Sequence, residues 1–323
     1  MSQSMTLCEW CTKIPFDLDI LQLEVPTVHY YDLGSGVRIE SSQCPFCWLI
    51  ISAFSEDRRA MCEYRHVRVW WAKGLKGRWA YKIMGVSNDI GICFGRRTAD
   101  HPPKRSETGV GYWIEPTTRP VVDTARMLRW ISSCKQMHGP ECGFTTHVAF
   151  SDAFPGLRLL RLIDTEANCL VEKKNLEKYV ALSYVWGAVS NFRLTKANRA
   201  ALLTPGSLEK VSHLLPKTIK DAITLVQRLE GRYLWVDALC LLQNDTEDLD
   251  RGVNAMDQIY ERAWLTVVAA CGHDANARLP GVQSGTRRAS RNTVEIKPGV
   301  EMGVVVGLDT LLKNSVYNSR AWT

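Results

Sequence analysis

The sequence lacks several features that would place it in a familiar class of protein. No apolar run approaches the roughly 20 residues that a membrane-spanning helix needs. The amino terminus has no basic segment followed by an apolar core, and there is no internal repeat or low-complexity tract. Hydrophobic residues make up 46% and charged residues 23% of the 323 residues, which is ordinary for a globular protein. We therefore expect a cytoplasmic protein without a signal peptide or a membrane span.

Common nucleotide-binding and hydrolase motifs are also missing. There is no G-x-x-x-x-G-K-[ST] phosphate loop and no G-x-G-x-x-G at the start of a helix. Ser183 lies in an apolar run without the G-x-S-x-G elbow, which disfavours hydrolase chemistry at this serine. The net charge of +6 is small and its charges are dispersed, so no nucleic-acid-binding surface is predicted.

What the chain does contain is a strongly apolar stretch from Tyr179 to Gly187. It is too apolar for a strand with one face in water, and it predicts a strand buried on both faces that ends in a Trp-Gly turn. Residues 214–229 show helical spacing with Pro216 suited to the first turn, 233–240 a second buried strand, and 264–270 a third. Between the last two, capping residues and the apolar positions from Leu249 to Ala263 predict one further helix. This alternation predicts an α/β domain with a parallel sheet.

Several blocks of this region resemble the successive blocks of the fungal heterokaryon-incompatibility (HET) domain. The closing residues from Ser319 to Thr323 resemble the start of that family's last block, which normally continues through a Gln-Glu pair. The resemblance covers residues 179 to 323 and implies non-self recognition and cell death when unlike fungal cells fuse. The implied partners are other incompatibility proteins or further copies of the chain. The blocks are Tyr179 to Gly187, Leu215 to Ala222, Tyr233 to Gln243, Ile259 to Ala263 and Leu279 to Gly281.

The HET domain is similar in outline to the Toll/interleukin-receptor (TIR) domain, whose members include NAD-cleaving enzymes. This resemblance implies a TIR/flavodoxin-like, three-layer domain with a parallel sheet. It also implies an alternative function, an NAD(P) glycohydrolase with its pocket at the carboxyl ends of the strands. Trp322 would match the tryptophan that precedes the TIR catalytic glutamate. Because the sequence stops at Thr323, we expect a domain with a truncated carboxyl end and little or no NAD hydrolysis.

Polar residues near the ends of the first two predicted strands form a candidate pocket. Asp237 could orient a ligand or transfer a proton, or it could brace its loop through backbone N–H groups. Cys240 could be a nucleophile with His213 or His273 as its base, or it could be an inert buried thiol. The candidate pocket residues are Ser183, Trp186, Gly187, Asp237, Cys240, Gln243 and Trp322.

Eleven cysteines in a chain without a secretory signal favour reduced thiols and metal ligation over disulfides. Cys8 with Cys11, and Cys44 with Cys47, form two C-x2-C pairs of the kind that hold structural zinc. The separation between the pairs is longer than in compact zinc ribbons. The alternative is four buried thiols without a metal, since cysteine packs well as a small apolar residue.

A second group of possible metal ligands follows the helix predicted over residues 121–137. Cys134 and His138 are one turn apart and can point the same way, with Cys142 close behind. The alternative is a helix end at which the dipole favours a histidine. A second metal site at Cys134, His138 and Cys142 is therefore a further hypothesis.

The pattern divides the chain into two regions. Residues 1–150 are predicted to form a cysteine-rich region in which strands near residues 67–71, 79–84 and 90–94 make a small antiparallel sheet. Residues 151–323 are predicted to form the HET domain. A hairpin near residues 157–171 is expected to lead into the strand at Tyr179.

Overall fold

The structure is a computed structural model, and it describes residues 6–16, 28–54, 58–74, 78–87, 90–94, 120–139, 148–189, 192–287, 293–313 and 315–319. Within these ranges the strands are β1 (Tyr30–Asp32), β2 (Arg68–Gly74), β3 (Arg78–Ile83), β4 (Ile90–Phe94), β5 (Leu160–Asp164), β6 (Cys169–Lys173), β7 (Tyr179–Ser183), β8 (Tyr233–Trp235), β9 (Leu265–Val268), β10 (Thr293–Lys297) and β11 (Val300–Val306). The α-helices are α1 (Gly36–Glu40), α2 (Pro45–Ala53), α3 (Arg58–Glu63), α4 (Thr124–His138), α5 (Phe150–Ala153), α6 (Arg199–Leu202), α7 (Ser207–Lys210), α8 (Lys217–Arg228), α9 (Asp237–Cys240), α10 (Thr246–Asn254), α11 (Met256–Glu261) and α12 (Leu308–Lys313).

The chain forms two compact units. Unit 1 contains residues 1–118 and 289–313, and unit 2 contains residues 119–288 and 314–323. The strands β10 and β11 thus belong to unit 1 although they lie late in the sequence. The division predicted at residue 150 follows sequence blocks and stays a prediction.

Unit 1 contains a six-stranded antiparallel sheet with the order β1-β2-β3-β4-β11-β10. The three predicted strands are its centre, so the small antiparallel sheet is confirmed. The hairpin of β10 and β11 extends it, with Met302 opposite Phe94 in the pairing of β11 with β4. This extension was not predicted.

Helix α2 anchors the core of unit 1. Pro45 occupies its first turn, where the missing N–H is not needed. Phe46, Leu49 and Ile50 are fully buried, and the Phe46 ring lies 4.9 Å from that of Phe16 and 5.7 Å from that of Tyr81. Fully burying one such side chain contributes about 1.5–3 kcal/mol. Because these buried side chains hold α2 against the core, they also hold Cys44 and Cys47 at its start in place.

Unit 2 contains a five-stranded sheet with the order β6-β5-β8-β7-β9. Strand β7 pairs in parallel with β8 and with β9, so the three strands predicted around Tyr179, Tyr233 and Leu265 are neighbours with one direction, as expected. The hairpin of β5 and β6 is also confirmed, but β5 pairs antiparallel with β8 through Ile163 and Leu234. The sheet is therefore mixed.

The prediction of a TIR/flavodoxin-like, three-layer parallel-sheet domain is wrong. An apolar run records burial on two faces and carries no information about the direction of the neighbouring strand, so it could not reveal the antiparallel pairing of β5 with β8. The third strand, β9, is also not buried on both faces, because the Val268 side chain is 43% exposed. It is an edge strand of the mixed sheet.

Both faces of this sheet carry apolar side chains, as the alternation along a strand requires. Val180 and Leu182 of β7 pack in one core cluster with Ile219 and Val226 of α8. Tyr179 lies in another cluster, which includes residues of α9 and α11. Helix α8 matches its predicted span closely. The helix predicted after residue 244 is broken into α10 and α11, which corrects that expectation.

Among the described residues, no helix has the combination of length and apolar character required to cross a membrane.

Candidate functional site

Four cysteine side chains converge in unit 1, and we call them the four-cysteine site. The Sγ atoms of Cys8, Cys11, Cys44 and Cys47 all lie within 4.8 Å of one another. The Sγ of Cys47 is 3.9 Å from that of Cys8 and 3.7 Å from that of Cys11. Tetrahedral bonds of ~2.3 Å from zinc to sulfur place the sulfurs about 3.8 Å apart. The four thiols are therefore positioned to bind a metal ion.

Each C-x2-C pair uses one turn of backbone to bring its two thiols together. Cys11 begins a short 3-10 helix, and its N–H donates to the Cys8 carbonyl at 3.0 Å. Cys44 is the N-cap of α2, its carbonyl accepts from the N–H of Trp48 at 3.0 Å, and Cys47 follows in the first turn. This local geometry depends on sequence spacing alone, which is why the spacing predicted it.

Arg38 supplies positive charge to the four-cysteine site. Its Nη1 lies 3.6 Å from the Sγ of Cys8 and its Nη2 lies 3.4 Å from the Sγ of Cys47. Its Nε donates to the carbonyl of Leu33 at 2.7 Å, and its guanidinium lies over the ring of Trp10. The guanidinium is thus held in place by two further contacts. The sequence carries no spacing signal for this role.

The thiols also alter one another's ionisation. Hydrogen bonding from Cys11 and Cys47 lowers the pKa of Cys44, because it favours the Cys44 thiolate. The same hydrogen bond raises the pKa of Cys11, because the Cys11 thiol is the donor and keeps its proton. A bound cation would replace these shared protons and allow all four sulfurs to be thiolates.

The second proposed metal site is only partly described. Cys134 and His138 lie on one face of α4, with Sγ and Nδ1 3.3 Å apart, as the spacing predicted. Cys142 lies outside the described residues. Within the described part of the chain the only cluster of three or more suitable ligands is the four-cysteine site, so the second metal site stays a prediction.

In unit 2 the ends of β7 and β8 meet at the strand-end rim, by which we mean Trp186, Gly187, Asp237 and Gln243. The Trp186 indole Nε1 donates to Asp237 Oδ2 at 2.9 Å. The other oxygen of Asp237 accepts from the N–H of Ala238 at 2.7 Å, at the start of α9. The expectation that the Trp-Gly corner and the aspartate share one rim is therefore confirmed.

Gly187 has a backbone conformation and a close contact with Asp274 that favour glycine. Its φ of +66° lies in the left-handed region, and a Cβ there would be 2.3 Å from the Cβ of Asp274. The adjacent Trp186 carbonyl accepts from the N–H of Ala275 at 3.2 Å. Glycine thus allows the corner to pack directly against residues 273–275.

Gln243 and Ser183 have protein partners of their own. The Gln243 Nε2 donates to the carbonyls of Asp237 and Leu241, at 3.1 Å each. The Ser183 Oγ lies 2.9 Å from the Tyr317 Oη, within hydrogen-bonding distance. These contacts brace the loops beyond the strands.

Cys240 is buried, with 1% of its surface exposed, and desolvation raises its pKa to about 12. Its thiol lies against backbone, 3.3 Å from the N of Val236. Burial with a raised pKa favours the second of the two interpretations, an inert thiol, and the role of Cys240 stays a prediction. Trp322 lies outside the described residues.

At the strand-end rim lies an apolar groove of about 350 Å³, and Trp186, Asp237 and Gln243 of the predicted pocket line it. Its walls include Tyr184, Val185 and Trp186, and, from α10 and α11, Leu249, Val253 and Met256. The helical pattern predicted an inward face for the last three, yet the Val253 side chain is 50% exposed. The size is that of a small-molecule pocket, and the apolar lining also suits a protein side chain.

Residues 179–323 match the family described as heterokaryon incompatibility protein (HET). No curated protein and no solved structure was found to be similar to the chain. The matched segment starts at the first residue of β7 and includes the whole strand-end rim. Residues 179–323 are therefore a heterokaryon-incompatibility domain.

Proposed function

We propose that this protein is a signalling module of fungal non-self recognition in the cytoplasm, which triggers programmed cell death by self-association or by binding other incompatibility proteins. The observation that carries the proposal is the family match over residues 179–323, the segment that contains the strand-end rim. A role in incompatibility follows from the family, and the mode of action is our inference from the site.

The geometry of the strand-end rim favours an interaction role. Both carboxylate oxygens of Asp237 accept hydrogen bonds from the protein, and the Gln243 amide donates to two carbonyls. These groups therefore stabilise the rim itself. The apolar groove beside them offers Val253 and its neighbours to an apolar side chain of a partner.

We further propose that the four-cysteine site holds a structural zinc ion. Four thiolates leave no open coordination position for chemistry, which is typical of structural zinc. The sulfurs belong to two distant segments, and three of the four cysteines are buried. Zinc would therefore tie the segment around Cys8 to the start of α2.

NAD(P) cleavage is the alternative raised by the TIR resemblance, and no observation in the described residues favours it. Asp237 is engaged by Trp186 and Ala238, and the Cys240 thiol is buried with a raised pKa. A thermal-shift measurement with NAD checks this point. Binding to the folded state at 100 times the Kd would add about 2.7 kcal/mol of stability, a clear rise in Tm.

The proposal is tested by expressing the protein in fungal cells and scoring cell death. Val253→Asp puts a charge on the groove, where the native side chain is already half exposed. We expect this variant to abolish killing and concentration-dependent self-association while the Tm stays within a few degrees of the wild type. The matched control is Leu214→Asp, because Leu214 is 48% exposed in the same unit and does not line the groove.

Equal killing by Val253→Asp, Leu214→Asp and wild type would contradict the role of the groove. If the wild-type protein neither kills nor associates with itself or another incompatibility protein, the proposed function itself is refuted.

A further inference from the structure

Arg38 joins the two C-x2-C pairs of the four-cysteine site. Its Nη1 lies 3.6 Å from the Sγ of Cys8, in the first pair, and its Nη2 lies 3.4 Å from the Sγ of Cys47, in the second. One guanidinium therefore contacts one sulfur from each of two segments that lie far apart in the sequence. The planar fork of donors on arginine suits two separate acceptors, whereas the ammonium group of lysine is a single point charge.

The position of Arg38 is also fixed by contacts that do not involve sulfur. Its Nε donates to the Leu33 carbonyl at 2.7 Å, and its guanidinium lies 5.4 Å from the centre of the Trp10 ring. Its backbone N–H donates to the Ser35 Oγ at 3.3 Å, and a Cβ at Gly34 would lie only 3.2 Å from the Arg38 side chain. A donor held in this way loses little further freedom when a sulfur accepts its hydrogen bond.

The charge of a zinc-loaded site gives Arg38 a further role. The four negative charges of the thiolates outnumber the two positive charges of a zinc ion, so the loaded site is negative. Because Cys11, Cys44 and Cys47 are buried, this excess charge is costly unless a cation lies close to the sulfurs. Arg38 supplies such a cation at hydrogen-bonding distance.

We propose that Arg38 is the positioning residue of the four-cysteine site, which sets its affinity for zinc and shields the Cys8 thiolate from electrophiles. This inference rests on the proposed zinc ion. Cys8 is half-buried whereas the other three cysteines are buried, so it is the thiolate that an electrophile reaches. A hydrogen bond from a cation stabilises that thiolate and thereby weakens it as a nucleophile.

The first measurement is the zinc affinity of the intact chain, obtained by competition with a chelator of known affinity. Arg38→Met keeps an apolar stem over Trp10 but removes both donors, and it should weaken zinc binding by about 10- to 100-fold. Arg38→Lys keeps the charge without the fork and should recover part of that loss. The matched control is Lys13→Met, which should bind zinc as the wild type does. Lys13 also lies over the Trp10 ring, at 5.5 Å, and none of its described contacts is with a sulfur.

The second measurement is alkylation of the zinc-loaded chain by iodoacetamide, in which a cysteine sulfur displaces iodide and mass spectrometry identifies the residue. In Arg38→Met, Cys8 should react about 10-fold faster than in the wild type, because its thiolate loses a hydrogen bond from a cation. Cys11, Cys44 and Cys47 should stay protected by burial. A merely structural role of Arg38 would instead expose all four thiols together.

The two measurements separate this inference from the metal site itself. Zinc affinity and Cys8 reactivity that are unchanged in Arg38→Met would overturn the role of Arg38 and leave the metal site standing. Equal weakening by Lys13→Met, or faster alkylation of all four cysteines, would also overturn it. Arg38→Lys provides both readouts if Arg38→Met does not fold. Wild-type protein that binds no zinc would refute the metal site, and the role of Arg38 with it.

Discussion

The four-cysteine site and the strand-end rim differ in their hydrogen bonds. The thiols of the first contact mainly one another and Arg38, whereas the polar side chains of the second form hydrogen bonds with other groups of the protein. Cys47 lies 3.7 Å from Cys11, and both can donate only a weak S–H bond. Asp237 accepts from an indole and from a backbone N–H. The four thiols are therefore positioned to bind a metal ion, whereas the Asp237 carboxylate is already hydrogen-bonded within the protein.

With the proposed zinc ion, the four-cysteine site would depend on an added component and the strand-end rim would not. Removing the component from unit 1 should unfold the segment that it ties down, because the thiols alone repel one another once ionised. Changes at the rim should act as ordinary losses of packing and hydrogen bonds. The predictions below test this difference, from the largest expected effect to the smallest.

The largest effect is expected from the loss of a metal ligand. Cys47→Ser should lose the bound zinc and cost unit 1 about 5 kcal/mol or more, a large part of the stability of an ordinary domain. Elemental analysis should give one zinc per wild-type chain, and thermal unfolding should show the loss. The control is Cys271→Ser, because Cys271 is exposed and outside the site. Wild-type protein without zinc would refute the metal site.

Next in size is the cost of a side chain at the Trp-Gly corner. In Gly187→Ala the new Cβ meets Asp274 at 2.3 Å and the backbone keeps a φ of +66°, so we expect a loss of about 2–4 kcal/mol in urea unfolding. Gly206→Ala separates the two causes. Gly206 has a φ of +76° with nothing within 4 Å of the added Cβ, and its loss should be about 1–2 kcal/mol. Equal losses would mean that the close approach to Asp274 is unimportant.

A smaller effect is expected from the bond between Trp186 and Asp237. Trp186→Phe and Asp237→Asn should each cost about 1–2 kcal/mol, since one removes the donor and the other the charge of the acceptor. A double-mutant cycle should give a coupling of at least about 0.5 kcal/mol. If Asp237→Asn abolished cell killing without lowering stability, Asp237 would have a direct functional role and the rim would not be complete by itself.

Local patterns in the sequence were enough to predict the four-cysteine site and much of unit 2. The C-x2-C spacing places two thiols on one turn of backbone in any surroundings. The apolar residues of α8 recur at helical spacing, and they form its buried face. The Trp-Gly corner and Asp237 met because β7 and β8 are parallel neighbours. These features depend on a few adjacent residues or on one common strand pairing.

Other features depend on contacts between distant segments, and the sequence could not reveal them. The antiparallel pairing of β5 with β8 made the sheet mixed, and the pairing of β11 with β4 brought a late hairpin into unit 1. Arg161 lies in a run of leucines and arginines, yet its partner Asp248 is far along the chain. The direction of a strand and the burial of a charged side chain depend on distant segments of the chain. A local sequence pattern does not identify those segments.

The smallest effect concerns acid, to which the two units should respond by different routes. Burial alone would raise the pKa of Asp164, but its hydrogen bonds from Arg232 and Ala167 outweigh this and lower it below the usual 3.8. Because the folded pKa is depressed, its stabilisation of unit 2 is complete above about pH 4 and is lost as the pH falls below that value. Asp164→Asn should therefore unfold at a lower Tm than wild type at pH 6, and the difference in Tm should be smaller at pH 3.

Unit 1 should respond to acid instead through release of the proposed zinc ion, since protons compete with the metal for the thiolates. Unfolding followed by probes in each unit should then show that zinc addition at pH 5 rescues unit 1 alone. Rescue of both units by zinc would contradict separate routes of acid unfolding.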